Sequence, residues 1–251
     1  MKISIITIVL NNREYIESCI KSVIGQTYKD VEYIVVDGGS TDGTLDIVEQ
    51  YKDRIDRIIR GKDAGIYQAI NIGIAAASGD VIGFLHSDDL YADENVLKKV
   101  AEAFISSSAE AVYSDLKYVN RHNVDSVIRY WKSGSYDPGK LKEGWSLPHP
   151  TFFVKTEIYD KFGMYDTSLK ISADYEMMIR LLFKNTINVK YIPEVLVKMR
   201  AGGVSNRNIS TIVRKTREDY RAWKIHGVKR AYGTVIRKNI YKIPQFFTKK
   251  R

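Results

Sequence analysis

Runs of apolar residues alternate, over the first 110 residues, with segments in which apolar positions recur every three or four residues. The continuous runs predict strands at residues 3–10, 31–36, 55–59 and 81–85. The segments with helical spacing predict helices at residues 15–24, 45–51 and 64–77. Strands that alternate with helices in this way form an α/β fold with a doubly wound sheet.

The predicted strand Val81–Leu85 ends in two adjacent carboxylates, Asp88 and Asp89. Its apolar run is typical of a strand that is buried on both faces. Open α/β sheets carry their chemistry at the carboxyl ends of such strands, and a bound cation would cancel the repulsion between neighbouring carboxylates. The alternative is that Ser87 or Asp88 caps the helix predicted to begin near Asp93.

A glycine-rich loop, Asp37–Thr44, follows the second predicted strand. The loop lacks the Gly-Lys-Ser/Thr ending of a P-loop, and no Gly-x-Gly-x-x-Gly follows the first strand, so the motifs favour neither an ATPase nor a nicotinamide enzyme. The glycines would let a ligand approach the backbone closely. Asp37 is placed to accept the imide N–H of a uracil ring, or else it caps the following helix.

The second half of the chain is less regular. Strands are predicted at Ala111–Tyr113, Leu147–Val154 and Val189–Met199. A helix is predicted to begin near Ser172 and to carry Asp174 in its first turn, where an acidic side chain complements the helix dipole.

Charge separates the last 45 residues from the rest of the chain. The whole sequence has a net charge of +9, whereas residues 207–251 contain 14 Lys or Arg and 2 acids, so the remainder has a net charge of −3. Two amphipathic helical segments are predicted in 207–251. Basic amphipathic helices suit an anionic membrane surface, and the alternative is that they pack their apolar faces on the catalytic domain.

The cysteine content and the apolar segments indicate a compartment. The single cysteine, Cys19, excludes a disulfide framework within the chain and favours a reducing cytosol. The first apolar run follows one lysine and is interrupted by Ser4 and Thr7, so it is interpreted as a strand and not as a signal peptide. The sequence has no run of 18 apolar residues that would predict a membrane-spanning helix.

Four segments in this order resemble glycosyltransferase family 2. They are Ile3–Thr7, Val35–Thr44, Lys62–Asn71 and Gly83–Asp89. The resemblance covers residues 1 to 205 and implies a GT-A fold with a mixed sheet, a catalytic domain at 1–206 with halves at 1–110 and 111–206, and a tail at 207–251. It further implies a nucleotide-diphosphate-sugar donor, Mn²⁺ or Mg²⁺, and transfer of the sugar with inversion.

The resemblance also assigns residues to the donor site. It implies that Thr7 and Asp37 hold the base and that Asp63 lies in the segment that closes over the nucleotide. Asp88 and Asp89 match the ribose and metal motif, with Asp88 at the ribose and Asp89 as the metal ligand.

Further assignments concern the sugar and the acceptor. The resemblance places His149 beside the sugar or diphosphate and Arg200 in the closing loop, where it would neutralise the diphosphate. Asp174 takes the second place of the family's Glu-Asp pair and is predicted to be the base, although Ala173 stands at the first place. His86 replaces a common asparagine, and it is interpreted as an interior histidine in preference to a metal neighbour.

These assignments predict an inverting glycosyltransferase. It would move a sugar from a UDP-sugar to a lipid-linked saccharide at the inner face of a bacterial plasma membrane, during assembly of a surface polysaccharide such as capsule or lipopolysaccharide. A nucleotidyltransferase would instead release pyrophosphate from UTP. A basic nucleic-acid-binding protein would bind nucleic acid with a steep dependence on salt. It would leave four aspartates unexplained, namely Asp37, Asp88, Asp89 and Asp174.

Overall fold

The computed structural model describes residues 1–61, 65–202, 209–228 and 231–240, except for the side chains of Ile209 and Asn239. In these ranges nine strands form one mixed sheet. Their order is β3 (Arg57–Arg60), β2 (Val31–Asp37), β1 (Ile3–Val9), β4 (Val81–Phe84), β8 (Phe153–Lys155), β6 (Ala111–Val119), β9 (Val189–Arg200) and β5 (Leu90–Tyr91), and β7 (Val127–Trp131) pairs with β6. The first four of these neighbours run parallel, whereas β8 pairs antiparallel with both β4 and β6. The predicted α/β class with a mixed sheet is confirmed.

The first half alternates strands and helices as its hydrophobic pattern predicts. The elements are β1 Ile3–Val9, α1 Ile16–Ile24, β2 Val31–Asp37, α2 Thr44–Gln50, β3 Arg57–Arg60, α3 Ile66–Ala76, β4 Val81–Phe84, β5 Leu90–Tyr91 and α4 Val96–Ile105. The helix predicted at 64–77 corresponds to α3, and the side chain of its first residue, Ile66, is exposed.

The second half carries longer strands and shorter helices. The elements are β6 Ala111–Val119, β7 Val127–Trp131, α5 Pro138–Lys142, β8 Phe153–Lys155, α6 Thr156–Phe162, α7 Ala173–Met178, β9 Val189–Arg200, α8 Ile209–Ile225 and α9 Tyr232–Ile240. A π-helical segment, Ile179–Lys184, continues α7. The strand predicted at Leu147–Val154 is shorter, because Pro148 and Pro150 lack the N–H groups that a sheet needs and a 3₁₀ turn takes their place.

Apolar side chains fill both faces of the sheet. The helices α1 and α4 cover one face, and α3, α6 and α7 cover the other. Gly83 in β4 makes room for the ring of Phe153, since a Cβ at this position would lie 2.4 Å from that ring. The one glycine in the apolar run therefore lets β4 and β8 pair in the middle of the sheet.

The C-terminal helices pack against the domain. Trp223 of α8 and Val235 of α9 are buried in the same core as α7. Lys238, one of the basic residues of the segment 207–251, is buried and paired with Asp219 at 2.9 Å. The apolar residues Tyr232, Ile236 and Ile240 face outward, so the two helices pack on the domain and also leave an apolar row exposed.

None of the helices in the described ranges has both the length and the apolar character that crossing a membrane requires. Cys19 is buried on the inner face of α1, as its position in the hydrophobic pattern predicts.

Candidate active site

The carboxyl ends of β1, β2 and β4 meet at one edge of the sheet. Val9 pairs with Asp37 between β1 and β2, and Ile6 pairs with Phe84 between β1 and β4. Because the three strands are parallel, the loops that follow them converge there. This edge collects the polar segments that the sequence marks out.

The Asp37 loop is held by its own backbone. The Asp37 carboxylate accepts the N–H groups of Gly39 at 2.9 Å and of Ser40 at 3.0 Å, and Gly39 has a φ of 97°. Helix α2 begins at Thr44, after Gly43, so Asp37 shapes the turn and does not cap the helix. The side chain of Asp37 is buried beneath this turn.

Thr7 lies deeper than the loop. Its side chain is fully buried in β1, and its hydroxyl accepts the hydroxyl proton of Tyr33 at 3.2 Å and lies 3.8 Å from the sulfur of Cys19. The structure therefore places Thr7 in the layer under the loops, with its hydroxyl engaged by the protein.

The two carboxylates after β4 have different surroundings. Asp89 is fully buried, its Oδ1 accepts the backbone N–H of Arg200 at 3.1 Å, and its Oδ2 has no hydrogen-bond partner among the described residues. Burial, and then the nearby charge of Asp88, raise the pKa of Asp89 well above its usual value. Asp88 is half-buried and reaches the surface of the sheet edge.

Neither Ser87 nor Asp88 caps a helix. Helix α4 begins at Val96 after Asn95, and the Ser87 hydroxyl accepts a hydrogen bond from the side chain of Asn12 at 2.8 Å. The capping alternative for this segment is therefore excluded by the position of the helix.

Arg200, at the end of β9, holds the segment that carries the two carboxylates. Its guanidinium donates to the Asp88 carbonyl at 2.6 Å, to the Arg121 carbonyl at 3.1 Å and to the Ser18 hydroxyl at 3.1 Å. It also lies over the ring of Tyr15, 4.8 Å from the centroid. Arg200 is buried and engages protein groups on three sides, so it fixes the geometry of the loop.

Two histidines lie between β4 and the second half of the chain. The rings of His86 and His149 are 5.9 Å apart, and His149 Nε2 lies 2.6 Å from the hydroxyl of Tyr165. Burial lowers the pKa of His149 to about 4, although the negative charge of Asp174 acts to raise it. Burial also lowers the pKa of His86, against the charges of Asp88 and Asp174, so both rings are neutral at pH 7.

Asp174 lies in the first turn of α7, half-buried beside these rings. Its Oδ1 accepts the N–H of Tyr175 at 2.8 Å and lies 3.2 Å from the hydroxyl of Tyr67. The same hydroxyl donates to the carbonyl of Ile171 at 2.7 Å. The Tyr67 ring stacks on the ring of Tyr165, 5.9 Å away, and Tyr165 contacts His149 beside His86, so Asp174 is linked by contacts to the segment that carries Asp88.

The pair Asp88 and Asp89 fits a divalent cation that substrate helps to bind. The partnerless Oδ2 of Asp89 and the repulsion between the two carboxylates leave negative charge that a cation would offset. No group of three ligating side chains occurs in the described part of the chain. Mg²⁺ commonly uses one or two carboxylates together with substrate phosphates and water, which is the kind of site that these residues offer.

The structure brings together most of the residues that the sequence predicts. His149 lies beside His86, Asp174 is linked to His149 through Tyr67 and Tyr165, and Asp37 ends β2, which is separated from β4 by β1. Asp63 lies outside the described residues, as do the closing-loop positions 203–205.

Three residues that shape the site were missed in the sequence. Tyr67 lies inside one of the four family-like segments, but the resemblance implies no role for it. No motif in the sequence marks Tyr165 as a site residue. Glu218 had a signal that was not used, because it and Asp219 are the two acids of the otherwise basic segment 207–251. An acid in such a segment indicates a specific partner.

Known proteins share this chain's sequence pattern. Residues 4–161 match the sequence profile described as glycosyl transferase family 2. A PGL/p-HBAD biosynthesis glycosyltransferase of Mycobacterium bovis (strain BCG / Pasteur 1173P2) is 32% identical over 207 residues, which cover 81% of this chain and 78% of the relative. An uncharacterized glycosyltransferase of Rickettsia typhi (strain ATCC VR-144 / Wilmington) is 30% identical over 213 residues, covering 82% of this chain and 66% of the relative.

Solved structures share the fold. Residues 1–349 of S. aureus TarS in complex with UDP-GlcNAc superpose with a TM-score of 0.70 at 20% identity, over 91% of this chain and 66% of that one. The mannosyltransferase PcManGT from Pyrobaculum calidifontis, in complex with GDP-Man and Mn²⁺, gives a TM-score of 0.68 at 16% identity, over 98% and 73% of the two chains.

Proposed function

Since the chain belongs to glycosyl transferase family 2 and is a glycosyltransferase with the GT-A fold, we propose that it transfers a sugar from a UDP-sugar to a lipid-linked saccharide. The observation that carries the proposal is a chain of contacts from Asp174 through Tyr67, Tyr165 and His149 to His86, which lies two residues before Asp88. One carboxylate lies at a strand end that suits a nucleotide, and the other lies across from it on α7. A nucleic-acid-binding protein would not account for this pair.

The reaction proposed for this site is a displacement with inversion. An acceptor hydroxyl attacks the anomeric carbon of the donor in line with the bond to the diphosphate. That bond breaks, and UDP leaves. Asp174 takes the proton of that hydroxyl as the new bond forms. The hydrogen bond that it accepts from the N–H of Tyr175, and its contact with the Tyr67 hydroxyl at 3.2 Å, hold the carboxylate in one orientation.

Asp88 is proposed to hold the divalent cation, and Asp89 to hold the loop. The family resemblance implies that Asp89 is the metal ligand and that Asp88 lies at the ribose, but the Asp89 carboxylate is fully buried and accepts the Arg200 backbone N–H, whereas Asp88 is only half-buried. A bound Mn²⁺ or Mg²⁺ supplies charge that stabilises the departing diphosphate. The Arg200 guanidinium donates to the backbone carbonyl of Asp88 and so supports this segment. We do not propose a direct contact of Arg200 with the diphosphate.

The donor base is proposed to lie over the Asp37 loop. Asp37 would accept the imide N–H of uracil, with Thr7 supporting the floor of the site from β1. UDP-GlcNAc is bound in the TarS structure and GDP-Man in the PcManGT structure, so the fold accepts either kind of nucleotide sugar. His149 is proposed to line the sugar side as a neutral ring, and Asp63 remains a predicted contact of the closing segment.

The exposed row on α9 supports a membrane-bound acceptor. Tyr232, Ile236 and Ile240 recur at intervals of four residues, and between 58% and 64% of each is exposed. Arg237 is exposed beside this row. Apolar side chains flanked by basic ones bind an anionic lipid surface, where each cation contributes about 1 kcal/mol. The enzyme would thereby meet a lipid-linked acceptor at the inner face of the plasma membrane.

Calorimetry tests the donor site. UDP, with GDP and CDP as controls, is titrated with and without Mn²⁺ into the native chain and into Asp88→Asn. We expect metal-dependent binding that is selective for UDP and is weakened in the variant, and a screen of UDP-sugars then identifies the sugar. A preference for another base would contradict the role of Asp37, and equal binding in the variant would contradict the role of Asp88.

Vesicle sedimentation tests the membrane surface. The native chain should sediment with vesicles that contain anionic phosphatidylglycerol and should stay in solution with phosphatidylcholine alone. Ile236→Ser should reduce sedimentation severalfold without changing the melting temperature. Sedimentation that is independent of lipid charge and of Ile236 would contradict this part of the proposal.

A further inference from the structure

Glu218 of α8 binds the backbone just before the proposed base. Its Oε2 accepts three successive N–H groups, from Lys170 at 3.0 Å, Ile171 at 2.8 Å and Ser172 at 3.1 Å. Only 11% of the Glu218 side chain is exposed. A carboxylate that occupies a concave group of backbone N–H donors makes charge-assisted hydrogen bonds, which are the stronger kind.

The peptide groups of Ile171 are held from two directions. Glu218 accepts the Ile171 N–H, and Tyr67 of α3 donates to the Ile171 carbonyl at 2.7 Å. The Tyr67 hydroxyl lies 3.2 Å from Asp174, three residues further on. A shift of the 170–172 segment would therefore move Asp174 away from Tyr67 and from the site.

The rest of α8 anchors Glu218 in place. Trp223 donates from its indole N–H to the Tyr175 hydroxyl at 3.0 Å, and His226 lies 2.7 Å from a carboxylate oxygen of Glu176. These contacts join α8 to α7 along its length. The carboxylate of Glu218 thus approaches the 170–172 backbone from a fixed helix.

We propose that Glu218 is a positioning residue for Asp174, and that α8 is for this reason part of the catalytic unit. The inference rests on the proposed role of Asp174 as the base. Glu218 touches neither substrate nor the reacting atoms, so its effect must pass through the backbone to Asp174. The expected signature is a loss of turnover with donor affinity retained.

The test is a double-mutant cycle. Turnover is measured as release of UDP from the UDP-sugar selected in the donor screen, with water as the acceptor, for Glu218→Ala, Asp174→Asn and the double variant. A displacement of about 1 Å lowers rates by about 100-fold, so we expect a fall of about 10- to 100-fold in kcat for Glu218→Ala. In the Asp174→Asn background the same change should have almost no further effect, because interacting residues are not additive.

Matched variants separate positioning from general stability. Arg214→Ala removes the partner of the other Glu218 oxygen, Oε1, and should leave kcat unchanged. Glu218→Gln keeps an acceptor oxygen of the same reach and should retain more activity than Glu218→Ala. Amide exchange at residues 170–172 should speed up in the order native, Gln, Ala, and calorimetric binding of UDP should be unchanged in all three.

Different results would overturn different claims. If Asp174→Asn keeps native turnover, the proposed base is wrong and the positioning role falls with it. If Asp174→Asn is inactive but Glu218→Ala and Glu218→Gln turn over normally, only the positioning role is wrong. An equal fold-loss from Glu218→Ala in both backgrounds would also overturn it, because that result indicates a general structural effect.

Discussion

Two buried carboxylates lie at opposite ends of the parallel strands and have opposite properties. Glu32, near the start of β2, accepts the Ser4 hydroxyl at 2.5 Å and the N–H and hydroxyl of Ser78 at 2.7 Å. Burial opposes its charged form, but these hydrogen bonds lower the pKa of Glu32 to about 2. Asp89, after β4, has one oxygen without a partner in the described residues and a raised pKa.

The difference separates a carboxylate that stabilises the fold from one that belongs to a functional edge. At the amino end of the strands the negative charge of Glu32 is fully satisfied by protein groups. At the carboxyl end one oxygen of Asp89 has no partner among the described residues, and burial and the charge of Asp88 disfavour the ionised form of Asp89. Perturbed, incompletely satisfied carboxylates are found where a ligand or a reaction supplies the missing partner.

The largest expected effect comes from removing an acid at the carboxyl edge. Asp174→Asn should lower kcat by about 10²- to 10⁴-fold, because the asparagine amide cannot take up the proton of the attacking hydroxyl group. The melting temperature should stay close to that of the native chain. Steady-state kinetics and thermal unfolding are the measurements, and Asp160→Asn on the exposed side of α6 is the control. A large fall in melting temperature with unchanged kcat would reverse the comparison.

The next effect is on stability and lies at the amino edge. Glu32→Gln loses a charged acceptor of buried hydrogen bonds and should reduce the free energy of unfolding by about 2 kcal/mol, with kcat per folded molecule unchanged. The folded-state pKa is depressed, so the contribution of Glu32 is present above the ordinary pKa of 4.5 and is lost as the pH falls towards about 2. Denaturant unfolding of both chains between pH 2 and 7 measures this. Parallel curves would show that Glu32 carries no depressed pKa.

The smallest expected effect concerns Asp89. Its folded-state pKa is raised, so the unfolded chain loses this proton first and native stability declines as the pH rises above 3.8. Asp89→Asn removes that titration, so its free energy of unfolding should rise relative to that of the native chain as the pH increases from 4 to 7. Urea unfolding of the metal-free protein at several pH values gives the slope. A difference that does not change with pH would mean that Asp89 is not held in its neutral form.

The sequence predicted the parallel half of the fold well because each of its elements is specified locally. An unbroken apolar run such as Val81–Leu85 fits a doubly covered strand, and the polar loops after β2 and β4 mark the strand ends. The family-like segments added the positions of Asp37 and Asp88, and the resemblance to the family's Glu-Asp pair added Asp174. Short-range pattern and motif order were sufficient for that much.

Long-range contacts were beyond the sequence pattern. Neighbouring aspartates look alike in the sequence, but only the pairing of β5 with β9 brings the backbone of Arg200 to Asp89. Likewise, an amphipathic pattern in 207–251 shows which side chains share a face but not what covers that face. The burial of Lys238 against Asp219 depends on how α9 crosses α8, which no local signal specifies.

The contacts of Arg200 have a consequence for the order in which the protein assembles. Arg200 joins Ser18, Asp88 and Arg121, the first of which lies 182 residues earlier in the chain. Domains fold as the ribosome delivers them, and contacts between distant residues form late. A nascent chain that ends before β9 therefore has its first strands but no fixed Asp88–Asp89 segment. The carboxyl end of the parallel strands is therefore completed only after β9 has emerged from the ribosome.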